Sequence, residues 1–146
     1  MKKLLIAAVL TIVVAATASA GSFVENAKLE ALFKAAYPGA THVHYKTVGD
    51  LISVSFMLDH HAMQAFYDIE GEKVAVSKAI LFSTLPMRGQ EAIKTRYAGY
   101  TATEAIEMDS QMEGVCYYIS LKNDTRKIVV RLSPNGDLEL FKRIKP

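Results

Sequence analysis

Phe33-Lys34-Ala35-Ala36-Tyr37-Pro38-Gly39 and, sixty positions later, Ile93-Lys94-Thr95-Arg96-Tyr97-Ala98-Gly99 end in the same way. Each places an apolar residue four before a tyrosine, the spacing of one helix face. Each then reaches a glycine, which tolerates the left-handed turn at a helix end. Pro38 adds a second stop signal, since the residue before a proline is pushed out of helical conformation.

Reading outward from the first stretch, Leu29, Leu32, Phe33 and Ala36 recur at helical spacing, and Ser22 with Glu25 has the separation of a capping box at the helix start. Four strand-like stretches follow, at residues 41–47, 51–58, 62–69 and 73–82. The second alternates cleanly, with Ile52, Val54, Phe56 and Leu58 on one face and Ser53 and Ser55 on the other. Leu85-Pro86 then restarts the programme, because proline is tolerated in a first helical turn. Ile93 and Tyr97 mark the apolar side of the second helix. Strands are expected at residues 101–108, 115–122, 126–132 and 138–144, with Asn123-Asp124 and Asn135-Gly136 as turns. Phe66-Tyr67-Asp68-Ile69-Glu70-Gly71 aligns with Arg131-Leu132-Ser133-Pro134-Asn135-Gly136, an offset grown to 65. The expected fold class is α+β: two tandem repeats, residues 21–84 and 85–146, each a helix packed on one face of a four-stranded antiparallel sheet.

The first twenty residues read differently. Lys2 and Lys3 precede an apolar run from Leu4 to Val14, and Ala18-Ser19-Ala20 closes it. Basic, apolar and small-x-small in that order is the pattern of a cleaved secretory signal, with cleavage expected after Ala20. The apolar core is shorter than the roughly 20 residues a spanning helix needs, so no membrane span is expected in the mature chain. A periplasmic or secreted protein follows. Without Lys2 and Lys3, the mature chain carries 15 basic and 15 acidic residues. Such neutrality offers no electrostatic footprint for nucleic acid. One cysteine, Cys116, cannot form an internal disulfide, and its apolar surroundings in sequence predict a buried thiol.

The Tyr37-to-Ala40 helix end, the Tyr67-Asp68-x-x-Gly71 turn and the Leu85-Pro86 restart resemble the PepSY-like family of exported Bacteroidetes-type bacterial proteins, itself described as similar to beta-lactamase inhibitory protein. The resemblance covers essentially the whole mature chain. It implies a tandem α+β fold and a binding or inhibitory role outside the cytoplasm, without catalysis. The chain departs from the family in carrying Tyr45 where members often have a first-strand Trp; it contains no Trp at all.

No catalytic set assembles on paper. There is no Gly-x-Ser-x-Gly elbow, no phosphate-binding glycine loop and no dinucleotide fingerprint, so neither an enzyme nor a cofactor is expected. Glu107 and Asp109 would share a strand face near Glu104, a solvated acidic surface more than an acid–base pair. His42 and His44, two apart on a strand, would share a face and, with His60-His61 in a turn, could hold a transition metal as a small-ligand or metal carrier. The other reading uses the sheet. If Ile52, Val54, Phe56, Val115, Tyr117 and Ile119 pack under the helices, the opposite face carries Met57, Phe66, Tyr118, Arg131 and Phe141. Aromatic, Met and Arg side chains on a polar face have the composition of a protein-binding patch. The partner would be an unidentified envelope or extracellular protein; oligomeric state is not readable from the sequence.

Overall fold

A computed structural model describes residues 27–145; the expected signal at residues 1–20, its cleavage point and the Ser22/Glu25 cap lie outside them. Helix α1 runs Ala27–Ala36, followed by strands β1 Thr41–Val48, β2 Leu51–Leu58, β3 His61–Tyr67 and β4 Lys73–Ile80. A short 3-10 turn, Phe82–Thr84, leads to helix α2 Met87–Arg96 and strands β5 Thr101–Ser110, β6 Gly114–Lys122, β7 Lys127–Leu132 and β8 Leu138–Ile144. Helix ends and turns fall where the glycines put them. Tyr37 N–H donates to Phe33 O at 2.9 Å and Tyr97 N–H to Ile93 O at 2.9 Å, with Gly39 at φ 85° and Gly99 at φ 88°.

The strands form one eight-stranded antiparallel sheet in sequence order, not two separate four-stranded ones. The join is β4 on β5, running from Ala75 opposite Ser110 to Ile80 opposite Ala105. Period-two alternation sorts the side chains onto two faces. Both helices use the same one. Leu29 and Phe33 of α1 bury against Val54, Phe56, Ala65 and Tyr67. Ile93 of α2, with Leu85, buries against Ala105, Ile119, Leu121, Ile128, Val130 and Leu132. Tyr117 is half-buried in that second cluster, but Val115, expected under the helices, is exposed.

The two helices meet the sheet through different side chains. Position 89, sixty beyond the buried Leu29, is a glycine in the first turn of α2. Glycine is a poor helix former, costing up to ~1 kcal/mol relative to alanine. Packing explains it: a Cβ on Gly89 would overlap the side chain of Leu132, which is fully buried and has nowhere to move. Gly89 thus lets α2 lie directly on β7.

The β2–β3 connection is strained instead of relaxed. Its two turn residues, Asp59 and His60, are both left-handed at φ 49° and 66°. That geometry is a two-residue hairpin turn normally built from Asn-Gly. The turn is Asp59-His60 and not His60-His61, because His61 already pairs with Leu58.

Two stability changes follow. Gly89→Ala should destabilise the protein by about 2 kcal/mol, the size of an overpacked core, read as a lowered melting temperature. Asp59→Asn with His60→Gly should raise stability by about 1 kcal/mol by removing left-handed strain; an unchanged denaturation midpoint would contradict the turn geometry.

Candidate functional site

The face opposite the helices carries no helix among the described residues. Register places all five expected contact residues on it. Met57 lies opposite Thr41 and Ala62, Phe66 opposite Ser53 and Ala75, and Tyr118 opposite Ile106 and Arg131. Phe141 occupies the irregularity in β8 between Leu140 and Lys142, with its ring 5.0 Å from that of Tyr118 in an edge-on contact.

Burial divides them. Phe66 and Tyr118 are 3% and 1% exposed, core residues in a cluster with Ile106, Met108, Cys116 and Val129. Met57, Arg131 and Phe141 are half-buried and present themselves at the surface. The sequence pattern identified the face, but strand alternation cannot say how deeply neighbours cover a side chain. Between the large residues sit Ser53, Ser77 and Ser120, all buried on this face.

Arg131 organises the second half of the face. Its guanidinium pairs with Glu113 of the β5–β6 turn and Glu139 of β8, both at 3.1 Å. It also lies 3.0 Å from Cys116 Sγ and hydrogen-bonds Tyr118. Burial pulls the Arg131 pKa down, but the Tyr118 hydrogen bond and the surrounding negative groups outweigh this, so the net direction is up. Desolvation raises the Tyr118 phenol, and Arg131 opposes that. Cys116 is buried as its apolar run implies; its basic neighbour arrives from a strand fifteen residues away, so no local signal announces it.

Around this core the face carries Lys46, Lys122, Lys127 and Lys142, none ion-paired among the described residues. Lys122 and Lys127 oppose each other directly, an unfavourable juxtaposition that an acidic group would relieve. Glu104 also lies on this face, opposite Ser120, and burial raises its carboxyl against the lowering effect of Lys127. Glu107 and Asp109 are on the helix side, as their spacing implies, opposite Lys78 and Val76.

The histidines are rearranged by a bulge. Pairing slips between Thr41 and His44, and His42 is left-handed at φ 52°. Regular alternation therefore does not run from His42 to His44, and two-residue spacing does not fix a common face for them. His44 pairs with Ser55, while His42 lines a shallow groove with Asp59 and His60. Among the described residues no three His, Cys, Asp or Glu side chains gather closely enough to hold a metal ion.

A feature that sequence spacing does not reveal lies on the helix side. Phe33, Tyr37, Tyr45 and Phe56 form an aromatic cluster, with centroids 4.7 to 6.1 Å apart along its contacts. Beneath it, Tyr67 is buried with its hydroxyl unpartnered among the described residues. Desolvation, reinforced by Tyr37 and Tyr45, pushes its pKa up to about 12 from 10.0. The folded state thus favours the neutral phenol; that contribution is complete below pH 10 and is lost as pH rises towards 12. Tyr67→Phe should abolish this alkaline loss, about 3 kcal/mol at full extent and about half of that at pH 11. It should also stabilise by about 1 kcal/mol at neutral pH by removing an orphan hydroxyl. Chemical denaturation at pH 7 and pH 11 measures both.

No helix among the described residues is long and apolar enough to cross a membrane. No protein-family model matches the chain, and no curated protein matches it. Solved structures do match. A BLIP-like protein from Bacteroides fragilis superposes with a TM-score of 0.74 at 15% identity, covering 86% of this chain and 91% of that one. A DUF2874 family protein from Bacteroides uniformis gives 0.72 at 15%, covering 81% and 87%. A protein described as periplasmic from Bacteroides eggerthii gives 0.72 at 12%, covering 80% and 85%. Likeness at this level of identity is likeness of fold, and the fold of this chain is BLIP-like.

Proposed function

We propose that this chain is an exported, non-catalytic binding protein that engages a protein partner, in the manner of an inhibitor, through the sheet face opposite its helices. The observation that carries the reading is the composition of that face. Met57, Phe141 and the Arg131 network stand at its surface, and Phe141 and Arg131 rest on the buried Tyr118, which fixes their place. Accessible anchors set on a fixed support suit recognition, because little conformational freedom is lost on binding. Four lysines on the same face, none ion-paired among the described residues, favour a partner with an acidic surface. A BLIP-like neighbour supports the inhibitor-like part, and a neighbour described as periplasmic supports export, in line with the amino-terminal signal pattern and cleavage after Ala20.

The same reading takes residues 21–84 and 85–146 as two PepSY-like repeats. Paired turn geometry supports it: Gly71 N–H donates to Asp68 O at 3.1 Å and Gly136 N–H to Ser133 O at 3.0 Å, with φ of 87° and 93°.

The test is crosslinked capture of the partner from the native cell envelope, repeated with Met57→Asp and Lys142→Glu. Tyr118→Ala is avoided because it would open the core. One partner held by the natural chain and lost by both variants, at unchanged melting temperature, is the expected result. Capture that survives both substitutions would exclude this face. Absence of a partner, together with a zinc-dependent rise in melting temperature lost in a His42→Ala, His44→Ala variant, would transfer the function to the histidines.

A further inference from the structure

Strands β1 and β5 begin alike: a left-handed glycine, a threonine two residues on, and a slip in register shortly after, between Thr41 and His44 and between Ala102 and Glu104. What lies beside them differs. The outer edge of β5 is taken by β4, which places Ile80 opposite Ala105 and Lys78 opposite Glu107. Ile80 and Phe82 then pack into the α2 cluster beside Tyr97 and Tyr100. β1 has β2 on one side and no described strand on the other. Where Ile80 and Phe82 would sit, the end of α1 leaves a groove of about 390 Å³. Tyr37 and Pro38 wall it on the helix side and Val43 and Tyr45 on the strand side, with the 2.7 Å Glu30–Lys34 ion pair at its rim.

We propose that this edge and groove take an extended strand from a partner protein, antiparallel to β1, in the position that β4 occupies on β5. An unpaired strand edge exposes a row of backbone donors and acceptors that a peptide can complete, while adjacent pockets read its alternate side chains. On the groove side the incoming residues meet Val43, Tyr45 and Tyr37, so they are apolar. On the other side they meet His44 and Lys46, both exposed and neither ion-paired among the described residues, so they are acidic. Charge also decides against self-pairing, since an antiparallel copy of β1 would bring His44 and Lys46 against their own kind. The bulge at Thr41 to His44 limits the usable ladder to residues 44–48 and discourages indiscriminate pairing. The opposite edge is less open: Arg96 of α2 donates to Leu138 O, and Leu138 packs into the α2 cluster. This surface shares His44 and Lys46 with the rim of the open face, while its groove lies on the helix side.

The experiment titrates a seven-residue peptide of alternating valine and glutamate into ¹⁵N-labelled protein and follows backbone amides by NMR. Shifts confined to residues 37–48 are expected. A peptide N-methylated at alternate amides, which cannot complete the ladder, should cause none. A valine–lysine peptide should bind more weakly by up to about fivefold per opposed charge, and Lys46→Glu should reverse the preference. Silence with the valine–glutamate peptide, shifts centred elsewhere on the sheet, or equal binding of the N-methylated peptide would each overturn the proposal. So would concentration-dependent dimerisation through β1 in place of peptide binding.

Discussion

The pairing of β4 with β5 is the contact on which the rest of this molecule depends. Each helix gathers its own apolar cluster, Phe33 with Val54 and Phe56 in one half and Ile93 with Ile119 and Val130 in the other. The first cluster stays within its own half, and the second takes only Ile80 and Phe82 from the other, so neither spans the seam broadly. The third cluster does, on the opposite face: Phe66, Val74 and Ala75 from one side of the seam meet Ile106, Met108, Tyr118 and Val129 from the other. A small domain without an internal disulfide has to find its cohesion in buried apolar surface. The seam supplies it by making both sheet faces part of the core.

That arrangement sets what the open face can do. Its aromatic residues are structural first. Tyr118 stays buried because Arg131 satisfies its hydroxyl, and Arg131 stays half-buried because Glu113 and Glu139 balance its charge. A buried polar group is stable only when its partners are in place. The same network that closes the core therefore fixes the guanidinium and the Phe141 ring at the surface. The surface of this face and the core beneath it share one network of residues.

The helix side shows the converse. Gly89 lets α2 settle onto Leu132, whereas Leu29 at the matching position fills the space under α1. With β1 at the sheet edge and no described strand beyond it, the end of α1 overhangs an aromatic groove, whereas in the other half Ile80 and Phe82 pack into the α2 cluster. One local plan thus yields a closed flank and an open one, according to whether a neighbour strand is present.

Sequence alone determined the elements and their faces, because both depend on short-range physics. Glycines at positions 39, 71, 99 and 136 adopt the left-handed turns that their context predicts. Alternation put Met57, Phe66, Tyr118, Arg131 and Phe141 on one side, since side chains reverse with each residue along a strand. Quantities set by non-local packing were not legible. Continuity of the sheet rests on which strand finds β4, and the burial of Phe66 and Tyr118 rests on how much of each neighbour leans over them. The bulge that separates His42 from His44 inserts one residue into the alternation without any composition cue. The Arg131 network draws Glu113, Cys116 and Glu139 from three places in the chain, which only the folded sheet brings within hydrogen-bonding distance.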